Sequence, residues 1–78
     1  MNSRVRLVFP ESLVREPLIS RMVRRYDVDV NIRRASVEEH YGWIVCEIEG
    51  DRHAVESSLQ WLTEAGVEVE QLGDVVES

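Results

Sequence analysis

The apolar residues of this 78-residue chain recur with a period that switches repeatedly between two and about 3.6, and that switching leaves few folds open. Val5, Leu7 and Phe9 alternate with Arg4, Arg6 and Val8 until Pro10 interrupts them, which predicts a first strand over residues 4–9. Leu18, Ile19, Met22, Val23 and Tyr26 then repeat at helical spacing behind Pro17, a residue suited to a first helical turn, with Arg21, Arg24 and Arg25 on the other face. From Asp27 the period returns to two, with Val28, Val30 and Ile32 alternating with Asp29, Asn31 and Arg33. The phase slips after Arg33-Arg34, because the next apolar residues are Ala35 and Val37, and a β-bulge or strand bend near Arg34 is the simplest account. Glu38-Glu39-His40 predicts a turn. Tyr41 to Glu49 predicts a third strand hairpinned to the second, with Ile44, Cys46 and Ile48 inward and Trp43, Val45, Glu47 and Glu49 outward.

Gly50-Asp51 ends that strand and offers the Asp51 carboxylate as an N-cap for a second helix. Val55, Leu59, Leu62 and Ala65, flanked by Ala54 and Trp61, give the apolar stripe of that helix, and Gly66 closes it. Val67 to Leu72 predicts the last strand, with Glu68 and Glu70 outward, and Gly73 onward a frayed tail. Two split βαβ units in this order, joined by right-handed crossovers, give an α+β, ferredoxin-like βαββαβ fold. Its antiparallel sheet has the order 4-1-3-2 and carries both helices on one face. The chain reads as one domain over residues 1–78, with a core of about 4–73 and a tail at 74–78. The other sheet face stays open, lined by Arg4, Arg6, Val8, Asp29, Asn31, Arg33, Trp43, Val45, Glu47, Glu68 and Glu70. Arg4 and Arg6 are expected to pair there with Glu47, Glu68 and Glu70 on the neighbouring strands.

Composition narrows the chemistry. Nine basic residues, all arginine, stand against fifteen acids for a net charge of −6, which disfavours nucleic acid and anionic membranes as partners. The charge is uneven: residues 1–39 carry eight Arg and six acids, residues 40–78 one Arg and nine acids. One cysteine and two histidines cannot make a disulfide framework or a tetrahedral metal site, so no metal or other cofactor is expected. The short apolar run before Pro10 is neither a secretion signal nor a membrane span, and the expected location is the cytoplasm. Cys46 shares its parity with Ile44 and Ile48 and reads as a core residue, while His40 and His53 read as solvated. No acid and base pair is set in a cleft, so the chain is not expected to be an enzyme. Trp43, with Val45 beside it, is the expected interface residue, since a large aromatic on an open sheet is costly to leave wet.

The run Glu16-Pro17-Leu18-Ile19-Ser20, followed by Arg24-Arg25-Tyr26-Asp27-Val28-Asp29-Val30-Asn31-Ile32, resembles the signature of the NIL domain family, named for an Asn-Ile-Leu triplet. The likeness continues through Gly50, the helix with Leu59, Trp61 and Leu62, and Gly66-Val67-Glu68-Val69 to Leu72-Gly73, about residues 4–73 in all. Such domains form the C-terminal regulatory part of the ATPase subunit of bacterial methionine importers. The resemblance implies a ferredoxin-like fold, pairing of two domains, and binding of L-methionine or a related amino acid near their interface. The triplet asparagine maps to Asn31, with Ile32, Leu18 and Ile19 as wall residues. Here the third triplet position is Arg33, and Ala35 to Gly42 makes a shorter second hairpin than importer domains usually carry. The module is expected to be free-standing, without an ATPase domain before it, and so to act on a protein partner or merely to hold a ligand. The other reading is a non-catalytic interaction or dimerisation module of sulfur or methionine metabolism that holds no ligand.

Overall fold

The period-two runs become strands and the 3.6-period runs become helices in a computed structural model that describes residues 1–74. Strand β1 spans Asn2–Pro10, helix α1 Leu18–Tyr26, strand β2 Asp29–Val37, strand β3 Tyr41–Glu49, helix α2 Arg52–Ala65 and strand β4 Glu68–Asp74. The strands form one antiparallel sheet of order β2-β3-β1-β4, the expected order read from the other edge. Val5, Leu7, Phe9, Cys46 and Ile48 face the helices and meet Leu18 and Met22 of α1 and Val55, Leu59 and Leu62 of α2 in one buried cluster. Tyr26 and Trp61 pack across the two helices with ring centroids 6.2 Å apart.

Several boundaries differ from the sequence reading, each for a local reason. Asp27 ends α1 instead of opening β2: it adopts a left-handed conformation, φ 55°, and donates its N–H to the Val23 carbonyl. Short polar residues tolerate that region better than most, so an Asp at this corner is chemically apt. Gly66 ends α2 in the same way at φ 106°, donating to the carbonyls of Leu62 and Thr63. Asp51 sits at the N-cap of α2, but its carboxylate makes no capping bond; its carbonyl accepts from the Val55 N–H at 2.9 Å. Strand β4 runs on to Asp74, past the expected tail boundary at Gly73, and residues 75–78 of that tail lie outside the described residues.

The bulge falls where the phase slip predicts it, next to Arg34. Ile32 pairs with Cys46 and Arg34 with Val45, so Arg33 is the extra residue. Beyond it, Arg34 and Ser36 fall on the open face and Ala35 and Val37 on the helix side, while β2 continues to Val37. Because a one-residue slip in a strand exchanges its faces, deletion of Arg33 has a specific outcome. The remaining pairs close up in register, so the ΔArg33 protein is expected to keep a cooperative thermal transition. Deletion of Val30 exchanges the faces of the pairs before the bulge and abolishes that transition. Circular dichroism melts compare the two directly.

Candidate ligand site on the open sheet face

Alternation puts Glu47 on the open face of β3, directly opposite Arg4 of β1 and Asn31 of β2. Its side chain is only 7% exposed, and both oxygens are taken: Arg4 Nη2 donates to Oε2 at 2.7 Å and Arg33 Nη2 to Oε1 at 3.2 Å. A carboxylate so enclosed would be costly without cations, and the two guanidiniums supply them. The hydrogen bond from Arg4, aided by that from Arg33, holds the Glu47 carboxyl below the usual glutamate value despite the opposing effect of desolvation. A lowered carboxyl pKa stabilises the fold above the unfolded-state value and loses that contribution as pH falls through the folded one. The urea midpoint of the wild type is therefore expected to drop as pH falls below about 4.5, and that of Glu47→Gln to drop less over the same interval.

One row along, Arg6 of β1 and Arg34 of β2 both pair with Val45 and lean over Trp43, their Cζ atoms 5.8 and 6.0 Å from its ring. The indole is half-buried under these cations. Arg6 also reaches Glu70 at 3.8 Å, a long and exposed pair of little energetic weight. In the other direction, Asp29 of β2 faces Glu49 of β3. Neither carboxylate makes an ion pair among the described residues, and like charges placed opposite each other repel. Asn2, Asp29, Val30, Asn31, Glu47 and Glu49 surround a shallow depression of about 100 Å³. The Asn2 Oδ1 atom beside it is buried with no hydrogen-bond partner.

The four expected ligand residues do not meet. Asn31 is exposed on the open face next to the depression. Ile32 points to the helix side of the edge strand, 52% exposed, Leu18 is buried in the core, and Ile19 packs against that core from α1. The sheet separates these three from Asn31. Trp43 and Val45 are adjacent, half-buried members of the open face. Arg33, at the third triplet position, pairs with Glu47 and not with Asp29 or Glu38. Arg4 meets Glu47, as its place between strands predicts, and the second arginine on that carboxylate, Arg33, is what alternation alone does not give. Cys46 is buried, as its parity suggests, and burial raises its thiol to about 11, while His40 is exposed and 2.8 Å from Glu11. Among the described residues no cluster of His, Cys, Asp or Glu is arranged to hold a metal ion.

Fold and face together define a small α+β domain of ferredoxin-like topology whose unroofed sheet carries a polar, partly neutralised surface. The chain belongs to the NIL domain family, whose model matches residues 3–71. It is 35% identical over 75 residues to the methionine import ATP-binding protein MetN of Photorhabdus laumondii, 91% of this chain and 22% of that protein. It is 34% identical over 76 residues to the MetN protein of Vibrio cholerae, again covering 22% of that protein. The chain thus spans about a fifth of the length of these relatives. Among solved structures, the C-terminal domain of an ABC transporter ATP-binding protein from Enterococcus faecalis superposes with a TM-score of 0.80 at 25% identity, covering 94% of this chain and 86% of that one. The de novo designed protein Foldit4, at TM-score 0.61 and 16% identity, shares the fold alone.

Proposed function

We propose that this domain is a non-catalytic regulatory module that binds L-methionine or a related amino acid as a homodimer, with Asn31 as a polar contact. The observation that carries the reading is the Asp29–Glu49 pair, two carboxylates opposed without a cation beside the Asn31 amide and the unpartnered Asn2 Oδ1. An α-ammonium group answers that array: it supplies three donors and a positive charge to a set of acceptors, while the Asn31 amide offers both a donor and an acceptor to a zwitterion. The relatives' names, which concern methionine import, favour this amino acid over others. The depression, at about 100 Å³, is smaller than the roughly 300 Å³ at which small-molecule pockets begin, so one chain alone makes an incomplete enclosure. A second copy laid on the open face closes it.

Ligand that binds only the paired form pulls chains into it by mass action. Saturating L-methionine is therefore expected to raise the dimer fraction in sedimentation velocity at fixed protein concentration. An unchanged distribution counts against the coupled reading. A second reading, an interaction module without ligand, is favoured by the cation-covered Trp43 on an otherwise unroofed sheet. It expects Trp43→Ala to weaken self-association several-fold with or without methionine, as read by light scattering. The cytoplasm remains the proposed location; among the described residues no helix is long and apolar enough to cross a membrane.

A further inference from the structure

The two edges of the sheet are finished differently. At β2 the Arg33 bulge and the neighbouring Arg34 break the row of free backbone groups, the usual protection of an edge strand. At β4 the pairing with β1 runs without interruption from Glu68 to Gln71, and the register shift comes only beyond it. The outer side of β4 has no strand beside it among the described residues.

Above this bare edge lies a groove of about 400 Å³, four times the depression near Asn31. One wall is a single stripe of α2, Glu56, Leu59, Gln60 and Thr63, spaced i, i+3, i+4 and i+7. The other is Val69 and Gln71, consecutive helix-facing residues of β4, and Met1 joins them. The surroundings are acidic: Glu56 in the wall, Glu64 on the same helix, and Glu68 and Glu70 along the edge. Among the described residues only weak exposed pairs offset them, Arg52 to Glu56 at 3.9 Å and Arg6 to Glu70 at 3.8 Å.

We infer that the groove between α2 and β4 is a docking site for an extended, cationic segment of another protein, added as a fifth strand beside Glu68–Gln71. Backbone bonding to β4 supplies affinity. Alternate apolar side chains of the segment enter the groove against Leu59 and Val69, and its intervening arginines or lysines meet the acids. The segment's cations would reach Glu68 and Glu70 at the rim of the open face, but β4 is the opposite edge of the sheet from β2 and its Asn31, so the inference stands or falls apart from the ligand reading above.

The test uses the full 78-residue chain, labelled with nitrogen-15, and a capped heptapeptide alternating arginine and valine. Amide shifts are expected in Glu68–Gln71 and in the Glu56–Thr63 stretch of α2. N-methylation of alternate peptide amides, which removes ladder donors, is expected to weaken binding at least about tenfold. Gln60→Trp, a substitution at an exposed position that fills the groove, is expected to do the same while leaving the rest of the spectrum unchanged, and Glu56→Lys provides a second variant. A glutamate–valine peptide is expected not to bind. Equal binding of the N-methylated peptide would reduce the contact to loose ionic attraction and overturn the inference. So would shifts confined to Trp43 and Val45, no binding at all, concentration-dependent shifts at β4 from self-association, or displacement of the peptide by L-methionine.

Discussion

Leu62→Ala is expected to lower the unfolding free energy by about 2–5 kcal/mol, the largest stability effect of any single truncation considered for this domain. Leu62 is fully buried, its helix packs on the sheet through Val55 and Leu59, and its carbonyl accepts the Gly66 and Val67 N–H groups that close the helix. Removing three carbons there forfeits their transfer free energy and leaves a cavity that a short α2 cannot collapse into without pulling on β4. A domain of this length has roughly 4–12 kcal/mol in total, so the loss is a large fraction of it. Each kcal/mol corresponds to about 4–8 °C of melting temperature at this size, and a scanning calorimetry endotherm lowered by at least about 10 °C is the result to look for. A shift of one or two degrees would mean that Leu62 is not a core residue.

Asn31→Ala is expected to weaken methionine binding by about ten- to a hundredfold with no loss of fold. Asn31 is exposed and makes no side-chain hydrogen bond among the described residues, so its truncation removes nothing that the described fold uses. In the complex it would remove one or two hydrogen bonds to charged groups, each worth about 1.5–3 kcal/mol, and 1.4 kcal/mol is a factor of ten. Equilibrium dialysis with radiolabelled methionine measures the ratio, and an unchanged melting curve separates lost binding from lost fold. Equal binding by the variant would remove Asn31 from the site.

Most of the fold was legible because it is written in periodicity. Val5, Leu7 and Phe9, and Ile44, Cys46 and Ile48, each keep one parity along a whole strand, and parity alone sends them to the core. Even the bulge announced itself, since Ile32 and Ala35 cannot share a face without an extra residue between them. The ends of elements were harder. Asp27 has strand-like neighbours, yet the left-handed turn after Tyr26 claims it, and nothing in its side chain distinguishes a corner from a strand start. Asp51 has the composition of a cap but not its bond, because the cap is decided by one side-chain torsion.

The candidate site was less legible than the fold. Asn31 and Glu47 were both expected outward, and both are, because alternation fixes the face. What alternation cannot give is reach: Arg33, the extra residue of the bulge, meets Glu47 on the neighbouring strand. Leu18 and Ile19 were joined to Asn31 by a family likeness, and their helix lies on the other side of the sheet. The groove at β4 left no motif at all, since its walls come from a helix stripe and a strand brought together only by the tertiary fold.

Isothermal titration of the wild-type chain with L-methionine, with homocysteine, S-adenosylmethionine and cysteine run under the same conditions, tests the ligand reading most directly. Saturable heat with methionine, stronger than with the other three, is the predicted result. No heat with any of them, from protein shown by its melt to be folded and by light scattering to be dimeric, would contradict it and leave the open face as a surface for protein contact alone.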